Sequence, residues 1–332
     1  MMNKNDNTID ILKLIMSVLV VGIHIHMESM IPDERMQSFF SCLTLRTAVP
    51  FFFVVTGYYL GKKLWNRDAY ERQKYMIGYI KRLLPPFLFW GGISWIFLFE
   101  AVYSTCSNVG VFILKFIRQM CFYPPGTTWY ILACMVGAGM IYFLWKHPRM
   151  LLAMILPLYG VALLGSTYYF VIDHTKIMDI YLKIFISTRN GIFVGFPFMY
   201  IGILLAKPLF LERINIKRVS LVTIACYVLL ILENSLVYGR NYIEDRELYI
   251  TYLLFIPCVV ILAVKKKILG QKDTKLLRKL STCIYFTHNF YVLGFKQWLG
   301  MEDGFLLFAV VIVCSILTYM LSNKVTILKK VL

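Results

Sequence analysis

Charged side chains are too scarce in this chain to coat a soluble domain. Asp, Glu, Lys and Arg make up only 16% of 332 residues, against 59% hydrophobic. Acidic residues are scarcer still, 18 against 35 Lys and Arg. The eight cysteines stand singly, with no CxxC pair, so neither a metal site nor a disulfide framework has support. There is no low-complexity tract and no clear internal repeat, which weakens the case for a repeat-built transporter. No small-residue cleavage site follows the first apolar run, so that run is expected to be a retained span rather than a signal peptide.

What is present is a succession of apolar runs, each long enough for a hydrocarbon core of about 30 Å. The expected spans are 9–27, 43–61, 84–103, 128–145, 150–171, 190–206, 219–237, 248–264, 280–298 and 304–323. They predict an all-α polytopic membrane protein of about ten helices, organised as a single transmembrane domain over 1–332. The stretch from Asp173 to Arg189 is amphipathic and suits the outer surface. The net charge of +17 raises nucleic acid as a partner, but the basic residues sit in alternate connections. Examples are Lys62, Lys63, Arg67, Lys81 and Arg82 in one, Arg213 and Lys217 in another, and Lys272 and Arg278 in a third. That is the positive-inside pattern of a multi-pass protein with both termini cytoplasmic. The partner it implies is the bilayer, with Pro32, Asn108 and Asn241 outside.

Within the first span the polar residues line up. Lys13 and His24 have a Lys-x10-His spacing, which puts them within about 20° on one helix face and about 16 Å apart. Asp10, Ser17 and Glu28 fall near the same face. A charge in hydrocarbon costs at least about 2.5 kcal/mol, so such a stripe marks a functional site by default. The alternative is that Lys13 snorkels to the inner headgroups while His24 and Glu28 mark the outer boundary. Other constellations also admit two readings. Arg46, with Pro50 and Gly57 on one face, is either an interfacial anchor on a kinked packing helix or part of a polar site. Lys81-Arg82 before Pro85-Pro86, at an expected helix start, is either topogenic charge or a collar for a phosphate-bearing ligand. Trp129 follows the turn formers Pro124-Pro-Gly126 at belt depth. Arg189 and Asn190 at a helix entrance are costly unless they face a cavity or meet an anion. His288 is either a hydrogen-bonded packing residue or a second polar centre.

Together these residues resemble the acyltransferase-3 family of membrane acyltransferases. Lys13-x10-His24 is similar to its first-helix [Arg/Lys]-x10-His signature. Arg46-Thr-Ala-Val-Pro50 through Thr56-Gly57-Tyr-Tyr is similar to its Arg-x-x-Val-Pro stretch, with Thr56 in place of the usual Ser. Lys81-Arg82-Leu-Leu-Pro85, Thr128-Trp129-Tyr130 (where His or Leu usually precedes the Trp) and Ile284-Tyr285-x-x-His288 continue the likeness over nearly the whole chain. Thr188 to Phe193 looks like the membrane half of the vancomycin-resistance serine racemases. Their cytoplasmic racemase half is expected to be absent, the chain stopping at Leu332.

The resemblance implies an enzyme that moves an acyl group, usually acetyl, from cytoplasmic acyl-coenzyme A to a hydroxyl of an extracytoplasmic glycan or envelope molecule. It places the enzyme in the plasma membrane, of bacterial type, with no metal and no bound cofactor beyond the acyl-coenzyme A donor substrate. His24 becomes the general base and Glu28 the group that orients it. Lys13, Lys81 and Arg82 hold the donor's phosphates or pantetheine arm, and Arg46, Arg189, Asn190 and Trp129 face the acceptor. Two rivals stay open: a serine or small-solute transporter related to the racemases, and a binding or assembly subunit without catalysis.

Overall fold

The computed structural model describes residues 7–172, 175–240, 247–266, 273–322 and positions 324, 325, 328 and 331. The topology markers Lys272 and Asn241 therefore lie outside the described residues, as does Asp173. Among the described residues every regular element is helical: α1 (Asn7–His24), α2 (Glu34–Leu43), α3 (Ala48–Leu64), α4 (Ala69–Tyr103), α5 (Val109–Phe122), α6 (Thr128–Leu144) and α7 (Pro148–Leu164), then α8 (Lys176–Phe185), α9 (Phe196–Leu205), α10 (Ile216–Val237), α11 (Tyr252–Lys265), α12 (Lys275–Leu299) and α13 (Phe305–Ser322). The fold is all-α, as expected.

Five stretches are long and apolar enough to cross a bilayer unaided: α1, the joined α2–α3 stretch Glu34–Leu64, α4, α10 and α13. Four shorter apolar helices, Thr128–Leu144, Pro148–Leu164, Gly191–Leu205 and Tyr252–Lys265, lie among them. Helix length alone thus sustains five spans, and the expected ten are not established by it. This is a multi-pass membrane protein. Three short helices stand outside the expected spans. One, α8, lies in the amphipathic 173–189 stretch and exposes Ile177, Ile180 and Ile184.

Local chemistry sets several boundaries. Asp68 caps α4, its carboxylate accepting the Glu71 amide at 2.8 Å, and the helix then continues for 35 residues. Pro85 and Pro86 therefore sit inside α4 instead of opening a helix, and Lys81-Arg82 lie on its flank. A proline interrupts one backbone bond, but the long run of helical neighbours on either side carries the helix across it. At the other end of the chain's first helix, α1 stops at His24, and His26 adopts a left-handed φ of 47° before a single 3-10 turn.

The tightest packing is α3 on α9, backbone against backbone. A Cβ on Gly57 would stand 1.9 Å from the Met199 carbonyl oxygen, and one on Gly202 would stand 2.0 Å from that of Val54. Gly57→Ala must therefore separate the two helices. We expect a loss of about 1–3 kcal/mol, read as a lower melting temperature in detergent. Gly139→Ala, which meets nothing within 4 Å, is the control and should not melt earlier.

Two further clasps hold the upper part of the molecule in register. Glu233 on α10 accepts the Ile250 amide at 2.5 Å, the Thr251 amide at 2.9 Å and the Tyr168 hydroxyl at 2.5 Å. The buried Tyr159 hydroxyl donates to the Tyr249 carbonyl at 2.7 Å. Between them they fix the segment 247–251. Along the other side α12 lies on α1: the Ser281 hydroxyl donates to the Lys13 carbonyl at 2.9 Å, and Thr274 donates to the Asp10 carboxylate at 2.7 Å.

Candidate active site

The end of α1, the turn before α3, the loop leading into α6 and the segments around 189 and 247 enclose a cavity of about 340 Å³. His24 reaches it as the last residue of α1, and His26, in the turn that follows, lines it too. Arg46 reaches it from the 3-10 turn Leu45–Thr47. Arg189 enters just before the cap of the π-helical turn Gly191–Gly195, and Trp129 from the first turn of α6. Four residues far apart in the sequence thus share one chamber, floored by Pro50 and walled by Tyr123 and Tyr285.

The chamber's electrostatic centre is Glu247. Its two carboxylate oxygens divide between two guanidinium groups, Oε1 pairing with Arg46 and Oε2 with Arg189. Arg46 Nε also donates to the Ser41 hydroxyl at 3.3 Å. The Arg189 guanidinium lies 5.4 Å above the Tyr123 ring, and that ring stacks on Trp129 at 5.8 Å. One continuous wall results, from Trp129 through Tyr123 and Arg189 to Glu247 and Arg46. Among the described residues these two guanidinium groups share the Glu247 carboxylate, and both line the cavity, an arrangement suited to an oxyanion or an anionic group.

Other expected site residues stand elsewhere. Glu28 follows the left-handed His26 and so does not continue the His24 face; its carboxylate lies 3.8 Å from His26 Nδ1. It borders a neighbouring hollow of about 280 Å³ that Arg46 also lines. Asn190 is a helix cap: its side-chain oxygen accepts the Ile192 and Phe193 amides, each at 3.0 Å, and its amide donates to the Tyr181 hydroxyl at 3.0 Å. With Trp129 it borders a separate cavity of about 190 Å³.

The donor-side cations form two groups. Lys13 lies 5.9 Å from the Tyr59 ring, which Lys62 approaches at 5.7 Å. Arg82 flanks Tyr75 at 5.6 Å, opposite Arg67 at 4.6 Å, and both arginines line a surface hollow of about 560 Å³ with Lys74. Lys81 is exposed beside it. The Thr56 that departs from the family's Ser keeps a hydroxyl in place, 3.0 Å from that of Tyr130. Among the described residues no three His, Cys, Asp or Glu side chains converge as a metal site would require.

Sequence reading missed Glu247 and left His288 undecided. The one available signal for Glu247 was an acidic residue at the mouth of an apolar run, in a chain poor in acids. For His288, only the packing of α12 on α1 brings its ring to 5.0 Å from that of His24.

Comparison with known proteins gives the family. The profile of the acyltransferase-3 family, described as an acyltransferase domain, matches residues 6–322. The chain belongs to that family. The match takes in every residue of the chamber and of both basic groups. Among curated proteins, the chain is similar to a serine/alanine racemase of Enterococcus gallinarum, 25% identical over 311 residues, covering 86% of this chain and 41% of the relative. An amino-acid racemase of Enterococcus faecalis is 25% identical over 351 residues, covering 97% of this chain and 47% of the relative. The chain thus spans less than half the length of these relatives. No solved structure matches.

Proposed function

We propose that this acyltransferase-3 protein is a bacterial plasma-membrane enzyme with cytoplasmic termini and about ten spans. It transfers an acyl group, acetyl in the first instance, from cytoplasmic acyl-coenzyme A to a hydroxyl of an extracytoplasmic glycan or related envelope molecule. The observation that carries this reading is His24, the last residue of α1, opening into a chamber lined by the ion-paired Arg46 and Arg189. A hydroxyl is a weak nucleophile at neutral pH, so a base must take its proton as it attacks, and imidazole has the suitable basicity. In the proposed reaction His24 accepts the acceptor's hydroxyl proton while the oxygen bonds to the thioester carbonyl carbon. The negative charge that builds on the carbonyl oxygen is offset by Arg46 or Arg189. The carbon–sulfur bond then breaks, His24 returns the proton to the departing thiolate, and coenzyme A and the acyl ester leave. Trp129 and Tyr123 offer a flat apolar face for the acceptor. The Enterococcus relatives support the bacterial assignment.

The donor's phosphates are assigned to the basic groups around Lys13 and Arg82, with Lys81 nearby. Lys13→Met and Arg82→Gln should each raise the KM for acetyl-coenzyme A while changing kcat little, the pattern of lost uniform binding. The effect should shrink at high salt, where contacts near the headgroup layer are screened. An unchanged donor KM in both variants would remove this half of the proposal.

A second reading, carriage of serine or another small zwitterion, draws on two observations. The relatives are named as amino-acid racemases, and Glu247 beside Arg189 supplies the anion and cation that such a solute needs. It leaves His24 without a task, and we therefore rank it below acyl transfer.

A further inference from the structure

His288 lies on α12 with none of its surface exposed. Its Nδ1 lies 3.0 Å from the Ile284 carbonyl oxygen. A carbonyl can only accept, so Nδ1 carries the proton and Nε2 is left as a bare acceptor. That Nε2 is buried and, among the described residues, has no hydrogen-bond partner. A histidine kept only for packing would satisfy both nitrogens, and a buried acceptor left unmet calls for an explanation. The neighbouring group supplies one. The His24 ring stands 5.0 Å away, centre to centre, with its plane tilted by 46°. That spacing leaves room for a ring-nitrogen contact of hydrogen-bond length after a small rotation.

We infer that His288 is the positioning residue for His24, its bare Nε2 receiving an N–H of the His24 ring. The inference rests on the reading of His24 as the base for acyl transfer. The contact does two things. It fixes the His24 tautomer, so that the proton sits on the nitrogen facing α12 and the other nitrogen faces the chamber as a base. It also gives the His24 imidazolium a neutral acceptor behind it, where the chamber in front already holds the guanidinium groups of Arg46 and Arg189. No proton passes to His288; it holds and polarises. The role otherwise suited to Glu28 is thus filled from α12, Glu28 being turned toward His26.

Two substitutions separate positioning from packing. His288→Asn keeps a donor for the Ile284 carbonyl but is too short to put an acceptor at the place of Nε2. His288→Gln restores a carbonyl oxygen near the place of Nε2. We expect H288N to lower kcat by about 10–100-fold, the usual effect of losing an orienting partner, with the KM for donor and acceptor unchanged. H288Q should recover most of that loss. Full activity in H288N, or equal loss in both variants, would overturn the inference. Nitrogen NMR of the parent protein labelled at histidine provides a second measurement that needs no variant. His288 should show a protonated Nδ1 and a bare Nε2, and a protonated Nε2 would overturn the assignment. A parent protein that turns over no acyl-coenzyme A would defeat the acyltransferase reading itself and the inference with it. An active parent with an indifferent His288 would defeat the inference alone.

Discussion

His24→Ala should lower acyl transfer by about 10²–10⁴-fold, the contribution typical of a positioned general base, while the protein still inserts and folds. His24 closes α1 and lines the chamber, so truncation removes the base at the cost of one ring contact with His288 of α12. The readout is turnover of labelled acetyl-coenzyme A in membranes matched for protein level. Retention of more than about a tenth of parental activity would exclude His24 as the base.

The second large effect is expected at Glu247. Glu247→Gln removes the carboxylate that, among the described residues, Arg46 and Arg189 share, and so brings their guanidinium groups into repulsion. Breaking a buried pair by removing one partner costs about 3–5 kcal/mol. These side chains keep 12–18% exposure, which favours the lower end. Melting temperature should fall, and the acceptor KM should rise as the arginines move apart. Adding Arg46→Gln to the Glu247→Gln background should restore part of the stability, because the second change removes the cation that the first left unpaired. Strictly additive losses would show that the three side chains do not act as a unit.

The legibility of this molecule followed the cost of burying charge. In a chain with so few charged residues, His24, Arg46 and Arg189 stood out because each lies in or beside an apolar run, and the structure brings all three to one chamber. Gly57 was readable for the same kind of reason: a residue without a side chain on the face of a span predicts a close neighbour, which is α9. Glu28 was misplaced because the His24 face was extended one turn too far. No glycine or proline follows directly on the end of α1, and the reversal is made by His26 in a left-handed conformation that its own sequence does not signal. Pro85-Pro86 misled in the opposite direction, since proline usually opens a helix and here lies within one. Asn190 announced a polar site and proved to be a cap, a role that the same residue type fills as readily. Glu247 could not be paired from sequence at all, because its partners lie on distant elements that only the packed bundle brings to it.

Donor binding tests the central claim most directly. Purified protein in detergent or nanodiscs, titrated with acetyl-coenzyme A by isothermal calorimetry, should show saturable binding at a ratio of one ligand per chain, weakened by Lys13→Met or Arg82→Gln. Absence of binding at millimolar acetyl-coenzyme A would contradict the acyltransferase account and leave solute carriage, testable as serine flux in liposomes without any acyl donor, as the better reading of the chamber.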